Sequence, residues 1–545
     1  AVEKSTAKIE VILHPLDKWR LYSQFQNGKA VGGFIQYVRI FGLVGLLVLV
    51  IACINFVNLA TARSERRARE VGLRKAIGSA RMDLIVQFLI ESLAIAFVAF
   101  LFSLLLVQMA LPGFNRLAQT RIDLPYSSPV FWAVMTGYVL LTGLLAGIRP
   151  AFYFSSFQPV KILRGVMQAG TMASLSRKML VVVQFACSFA LITGTLIIYH
   201  QIKYGKDRPT GYDPSGLLEV DMTHDLQKNY KPLKNELLQD RLVESISTAS
   251  NTPDGFSASL AVTGWPGQKA GESLEMPITG ASMEYFRTVG MKMKAGREFN
   301  SNADSTNIIL NEAAVKRLRL VDPLNSLITM EDSSKHLRVI GVVGDAVMLS
   351  PFQAAIPSIF TYNPNWANNI LLRLPSSANI HESVARLTAV FNKYNPSSPM
   401  MLHFADENYA HKFDAETMLG TLAALFAGLA ILISCLGLFG LSAYVAEQRN
   451  REIGIRKIVG ASVWQIWRLL STNFILLVGI GCLVAIPVAY YLLSGWLDQY
   501  DYRISIGPGV FLLATGIAIL IAVGTVSFQV VRAARANPVK SLRRE

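Results

Sequence analysis

Apolar residues in this chain are bunched rather than alternating. Seven long, predominantly apolar stretches interrupt the polar pattern: Phe34–Leu59, Leu84–Leu111, Val130–Ile148, Met179–Ile198, Met418–Val445, Ile466–Leu493 and Val510–Val531. An α-helix needs about 20 such residues to cross the hydrocarbon of a bilayer, so each stretch is expected to be a membrane-spanning helix. The long segment between the fourth and fifth stretches has a different texture. Arg338-Val339-Ile340-Gly341-Val342-Val343-Gly344 reads as a strand ending in a turn, whereas Glu382–Tyr394 places Val384, Leu387, Val390 and Phe391 at helical spacing. The expected fold class is an α-helical polytopic membrane protein with an extracytoplasmic α/β domain long enough to own a core.

Composition supports this class. Of the 545 residues 52% are apolar and 16% charged, against about 25% charged in an ordinary soluble domain. Cys53, Cys187, Cys435 and Cys482 all fall inside apolar stretches and read as small packing residues rather than disulfide partners. The net charge of +15 raises the question of nucleic acid, and the placement of the charge answers it. Basic residues cluster beside the stretches: Arg63 to Arg81 after the first, Arg149 to Lys178 after the third, Arg449 to Lys457 after the fifth, and Arg532 to Arg544 at the end. Acidic and basic residues nearly balance between Tyr204 and Lys412. By the positive-inside rule the four basic segments are cytoplasmic, which predicts a multi-pass protein of the cell (inner or plasma) membrane. Its C-terminus would be cytoplasmic and residues 204–415 extracytoplasmic. The basicity is topological and implies the lipid bilayer as a partner, with no nucleic acid. An odd number of spans puts the first residues outside, so a further helix is expected upstream of Ala1.

Self-similarity sharpens the reading. Arg69-Glu70-Val71-Gly72-Leu73-Arg74-Lys75-Ala76-Ile77-Gly78 follows the first stretch, and Arg451-Glu452-Ile453-Gly454-Ile455-Arg456-Lys457-Ile458-Val459-Gly460 follows the fifth, at an offset of 382 residues. Pro159-Val160-Lys161-Ile162-Leu163-Arg164 matches Pro538-Val539-Lys540-Ser541-Leu542-Arg543 at an offset of 379. Near-equal offsets mean that whole units are duplicated in the same orientation, unlike the inverted repeats common in secondary transporters. In each element a glutamate stands four residues before an arginine, the favourable order for a helical ion pair, and a glycine suits the helix end. A solvated basic loop would satisfy the positive-inside rule without repeating either glutamate or glycine. The repeated elements are therefore candidates for a rigid lever that a cytoplasmic partner could grip.

Other chemistry is sparse. Glu91 near the start of the second stretch invites an ion-coupling role, but it sits towards the cytoplasmic end, and the second repeat has Asn473 instead. The seven histidines form no His-Glu-x-x-His pattern, so no metal site is expected; His403, Asp406 and His411 read as surface or stalk residues. Gly341-Val342-Val343-Gly344-Asp345 lacks the Gly-x-Gly-x-x-Gly order, and no Gly-x4-Gly-Lys-Ser/Thr loop occurs anywhere, so the sequence holds no phosphate cradle for ATP.

With these residues in view, the chain resembles the FtsX-like/MacB-type family of ABC transporter permeases in its duplicated form. The resemblance is carried by Ala52-Cys53-Ile54-Asn55-Phe56-Val57-Asn58-Leu59-Ala60-Thr61-Ala62-Arg63-Ser64, by both repeated elements, and by Gly437 to Leu441. Asn537-Pro538-Val539-Lys540 adds to it, as do Gly290-Met291 through Gly296-Arg297-Glu298-Phe299 and Ile309-Leu310-Asn311-Glu312, which are similar to a MacB-like periplasmic core domain. The resemblance implies mechanotransmission: a separate cytoplasmic ABC ATPase, which would hold the ATP and Mg, closes and moves the extracytoplasmic domain through the membrane helices. This chain would be no enzyme and would bind no cofactor itself. Arg69, Glu70, Gly72, Arg74, Lys75, Gly78, Arg451, Glu452, Gly454, Arg456, Lys457 and Gly460 would form the ATPase-coupling surface.

The expected layout is then the end of a truncated first extracytoplasmic domain (1–33), a three-span permease block with its coupling element (34–165), and a cytoplasmic linker with the fourth span (166–203). The extracytoplasmic core domain (204–415) and a second three-span block with coupling element and tail (416–545) follow. Export or efflux of lipoproteins, peptides, lipids or amphiphilic drugs is the leading function, with a periplasmic adaptor as a further partner. The alternative is a non-transporting regulator of a cell-wall hydrolase, whose partner would be a cell-wall factor.

Overall fold

The computed structural model describes residues 13–26, 29–66, 77, 79–117, 121–155, 171–330 and 336–535. It divides into two compact units. One contains Ala1–Tyr199, Met418–Trp496 and Ser505–Glu545; the other contains His200–Thr417 and Leu497–Ile504.

The apolar stretches form long helices: Ile35–Arg66, Arg81–Leu117, Pro129–Ser155, Thr171–Lys206, Asp414–Gln448, Val463–Leu497 and Pro508–Arg535, called first to seventh below. Among the described residues six are long and apolar enough to cross a membrane. The third, Pro129–Ser155, contains the whole expected apolar stretch Val130–Ile148. The core of the membrane unit shows how the helices pack. Ala514, Ala518, Ala522, Val526 and Val530 repeat at every fourth residue of the seventh helix and are all buried. Ile466, Leu470, Phe474, Val478 and Cys482 do the same on the sixth. Both rows pack in one cluster with Phe185 and Phe189 of the fourth helix and Leu438 and Leu441 of the fifth. Residues four apart line one helix face, and small ones let backbones approach where lipid offers no hydrophobic gain. The opposite faces stay apolar and exposed, as at Leu101, Phe102 and Leu105 on the second helix and Leu483, Val484 and Val488 on the sixth. These are surfaces for acyl chains.

In the extracytoplasmic unit two patterns are built from one sheet. Strands Leu217–Asp221, Ser245–Ala249, Asn369–Arg373 and Leu402–Phe404, with helices His224–Gln239 and Ile380–Tyr394, run βαβ then βαβ in chain order. Their sheet order places Leu217–Asp221 and Asn369–Arg373 in the middle, and the pairings among the four are antiparallel. That is a ferredoxin-like arrangement, interrupted between its second and third strands. The interruption closes on itself: Leu274–Ala281, Ser259–Gly264, Leu327–Met330, His336–Val343, Asn307–Asn311 and Ile359–Tyr362 pair in a ring. The ring leaves no edge among these six strands and is filled by Val262, Trp265, Met276, Ile308, Leu310 and Val339. Period-two alternation sorts the first strand: Leu218 and Val220 face the two helices with Leu233, Leu237, Leu387 and Phe391, while Leu217 joins Tyr285, Phe286 and Phe360 on the other side.

The stretch from Gly290 to Phe299 is explained by this geometry. Gly290 ends helix Tyr285–Val289 in the left-handed region, φ 79°. Gly296 has φ 73°, and a Cβ there would lie 2.2 Å from the Ile340 carbonyl oxygen, so only glycine fits. Arg297 then donates to both carboxylate oxygens of Asp304, at 3.0 and 2.7 Å. Asp304 is 1% exposed and also accepts from the backbone of Asn300 and Ser301 and from the Asn307 amide. The Arg297 hydrogen bonds foremost hold its carboxyl well below the usual carboxylate range. Because the folded state favours the ionised form, its stabilisation is complete above the ordinary carboxylate pKa and fades as pH falls towards the depressed value. Asp304→Ala strands several buried donors and is expected to cost roughly 3 kcal/mol. Thermal unfolding of the purified chain at pH 7 should show a lower transition for the extracytoplasmic unit; an unchanged transition would deny this carboxylate its structural role.

Candidate functional site

The second repeated element folds as a short helix, Asn450–Ile458. The anticipated ion pair is present: Arg456 Nη2 lies 2.9 Å and Nε 3.2 Å from Glu452 Oε1, on an exposed face. Gly460 ends the helix with φ 95°. Its amide donates to Lys457 O at 3.1 Å and that of Ala461 to Arg456 O at 2.9 Å, the two bonds of a Schellman cap. Immediately afterwards Ser462 and Gln465 exchange side-chain to backbone bonds of 3.3 and 2.9 Å at the start of the sixth helix, a capping box. The joint between the two helices is thus hydrogen-bonded through, and little slack remains. One side of the short helix is anchored: Ile453 is 3% exposed in the bundle core and Gly454 is buried. The other side presents Ile455, Ile458 and Val459, exposed to 50, 62 and 82%, beside Arg456. Three exposed aliphatic side chains flanking an ion pair on a rigidly capped helix make a surface suited to a protein partner. Of the other expected residues, Lys457 is half-buried. Arg451 has no described side chain, and Arg69, Glu70, Gly72, Arg74, Lys75 and Gly78 lie outside the described residues.

Within the membrane unit three distant segments meet at a polar node. Asn55 of the first helix donates to the Ile433 carbonyl of the fifth at 3.2 Å. A Cβ on Gly437 would stand 2.6 Å from Asn55 Oδ1 and 3.2 Å from Gln184 Nε2 of the fourth helix. One turn further along, Ser188 and Ser434 hydroxyls bond at 2.8 Å. Polar side chains hold helices together in hydrocarbon because their alternative is an unmet hydrogen bond. Glu91 is half-buried in the second helix.

In the extracytoplasmic unit, the segment Leu497–Ile504 that joins the sixth and seventh helices is clasped from several sides. Gln201 donates to Tyr502 O and accepts from Ile504 N, both at 2.9 Å. Tyr204 stacks on Tyr502 with ring centroids 4.4 Å apart, Arg208 lies 4.6 Å over that ring, and Tyr500 meets Phe352 edge-on at 5.2 Å. Asp501 accepts from Ala354 N at 3.1 Å. Sequence reasoning missed this clasp because its partners come from segments about 150 and 300 residues away. His403 and His411, read from the sequence as surface or stalk residues, are both exposed, and they line a cleft with Glu219, Asp221 and Asp254.

Comparison with known proteins follows the same division. The family of FtsX-like permease C-terminal regions matches residues 42–159 and 424–538, and the MacB-like periplasmic core domain matches 171–390. The chain is an FtsX/MacB-type ABC transporter permease. The permease is 21% identical over 291 residues to the uncharacterized ABC transporter permease YknZ of Bacillus subtilis, covering 50% of this chain and 71% of that one. It is 23% identical over 292 residues to the macrolide export ATP-binding/permease protein MacB of Neisseria meningitidis, covering 49% of this chain and 44% of the relative. Thus the matched region spans less than half of the MacB relatives' length. Among solved structures, the periplasmic region of MacB from Actinobacillus actinomycetemcomitans aligns with 37% of this chain and 94% of its own at TM-score 0.28 and 15% identity. The extracellular domain of YknZ from Gram-positive bacteria aligns with 34% of this chain and 99% of its own at TM-score 0.26 and 14% identity.

The polar node predicts a contrast between two glycines of one helix. Gly437→Val drives a branched side chain into Asn55 and Gln184, overpacking that costs about 1–3 kcal/mol. Gly428→Val meets nothing within 4 Å and carries the same change in helix propensity. Heating of the detergent-purified permease is expected to separate the two, with only the Gly437 variant losing its monodisperse elution profile at lower temperature; equal behaviour would remove the node as a packing constraint.

Proposed function

We propose that this permease is the membrane subunit of an export complex in which a separate cytoplasmic ABC ATPase, holding ATP and Mg, moves the extracytoplasmic unit by mechanotransmission. The observation that carries the reading is the short helix Asn450–Ile458: anchored by Ile453, capped without slack into the sixth helix, and exposing Ile455, Ile458 and Val459 around the Glu452–Arg456 pair. A push on that face is delivered to a transmembrane helix as rigid displacement rather than absorbed by a loop. Repetition of the motif after the first helix supplies a second handle, as a pair of ATPase subunits closing on ATP would require.

Two further features support the reading. The sequence contains no Gly-x4-Gly-Lys-Ser/Thr loop, so hydrolysis would belong to residues other than these. The MacB relatives are named macrolide export ATP-binding/permease proteins, which joins ATP use to export in proteins that share this permease region. On this account the fourth and fifth helices, which flank the extracytoplasmic segment in the chain, carry the motion. Control of a cell-wall hydrolase is not favoured by any feature of the site.

The coupling assignment can be tested without disturbing the fold. An exposed ion pair at this spacing is worth only about 0.5 kcal/mol, so its loss alone does not unfold the protein. Glu452→Lys combined with Glu70→Lys is expected to abolish permease-stimulated ATPase activity in the reconstituted complex, while membrane insertion and the melting temperature stay as in the parent. Undiminished stimulation would detach these elements from coupling.

A further inference from the structure

The extracytoplasmic unit holds a cleft of about 420 Å³ whose lining is polar and includes three acidic residues, Glu219, Asp221 and Asp254, with His403, Asn408 and His411 beside them. Glu219 is the unusual member. It sits on the central strand Leu217–Asp221, opposite Leu371 on one neighbour and His403 on the other, and is 3% exposed. Its Oε2 accepts from the Asn408 amide at 2.9 Å, and its Oε1 has no hydrogen-bond partner among the described residues. A buried carboxyl in the lining of a cleft, with one oxygen lacking a donor, is costly unless something that enters the cleft compensates it.

The surroundings define the complementary chemistry. Asp254 accepts from the Thr252 hydroxyl at 2.6 Å. The neighbouring ammonium, Lys412 Nζ, donates to the backbone carbonyls of Asp254 and Met348, so its hydrogens are directed at main chain. The two aspartates, Asp221 and Asp254, against one ammonium favour a cation. Among the described residues no three His, Cys, Asp or Glu side chains converge closely enough to hold a metal ion, and the cleft has the size of a small-ligand pocket of at least about 300 Å³. An organic nitrogen cation meets these conditions: it carries charge, donates several hydrogen bonds and brings a body to fill space.

We propose that this cleft binds an organic ammonium, with the Glu219 carboxyl and the Asp254 carboxylate compensating its charge. Burial foremost, then the charge of Asp254, pushes the Glu219 carboxyl up to about 8, while the Asn408 bond and Lys412 oppose the rise. The other groups around it are Asp221 on its own strand, His403 and His411, and the phenols of Tyr212, Tyr285 and Tyr409. Near neutral pH the carboxyl is therefore mostly protonated. A cation beside it favours the ionised form, so the proton leaves to solvent as the ammonium enters. Affinity should then rise about tenfold per pH unit below 8 and level off above it, since one proton is released per ligand. The ligand stays protonated throughout, as alkylamines titrate near 10.

Spermidine is a suitable probe, titrated calorimetrically into the full chain in phosphatidylcholine nanodiscs without ATP, so that the outcome is independent of the export reading. The expected result is saturable binding that strengthens about tenfold from pH 6.5 to 7.5, weakened at least tenfold by Asp254→Asn. In Glu219→Gln, which removes the titrating group at constant size, the pH dependence should disappear; if that variant fails to fold, Asp254→Asn at the partly exposed position carries the test. No saturable binding by the folded parent, equal binding by both variants, or saturation by Mg²⁺ with none by spermidine would overturn the assignment.

Discussion

Helices surrounded by acyl chains gain almost no hydrophobic free energy by touching one another, because lipid is as apolar as leucine. What remains is close packing and the satisfaction of polar groups. The membrane unit shows this constraint at several contacts: the row Ala514, Ala518, Ala522 on the seventh helix, the close approach of Gly437 to Asn55 and Gln184, and the Ser188–Ser434 bond. The consequence is mechanical. A bundle held by short contacts deforms less readily than one held by flexible side chains, and the helix Asn450–Ile458 is tied into that bundle through Ile453 and two consecutive hydrogen-bonded caps.

The extracytoplasmic unit lives under the opposite regime, where water drives apolar surface inward. It accordingly has separate cores: one inside the ring of six strands, one beneath the two helices of the ferredoxin-like part, and an aromatic one around Phe286 and Phe360. Buried charged groups are its exceptions to apolar packing, and two of them are fully engaged. Arg297 meets Asp304, and Arg373 donates to the carbonyls of Thr288, Ser215 and Asp213. Glu219 is the member of this class whose second oxygen finds no donor among the described residues.

Much of this was legible along the chain. Long apolar runs need only composition to be recognised, and the short helix Asn450–Ile458 was readable from Glu452, Arg456 and Gly460 because an ion pair and a helix stop are local signals. The strand His336–Val343 and the helix Ile380–Tyr394 were likewise visible in their periodicity. What depended on long-range contact was not. Asn55, Gln184 and Gly437 lie on three helices and carry no mark of meeting. The ring of six strands arises from pairing order, which no single segment encodes. The acidic cleft gathers Glu219, Asp254 and His403 from across nearly the whole extracytoplasmic segment; its one local hint is an acid at an alternating position of Leu217-Leu218-Glu219-Val220. The third apolar stretch, Val130–Ile148, was read correctly as part of one helix, Pro129–Ser155.

The most direct test of the central claim is to purify the natural full-length permease from its own membranes, identify what accompanies it, and assay the preparation for ATP hydrolysis. The account predicts an ABC ATPase that co-purifies and is lost when Ile455, Ile458 and Val459 are replaced by aspartate. Recovery of the permease without any ATPase, under conditions that preserve its fold, would contradict it.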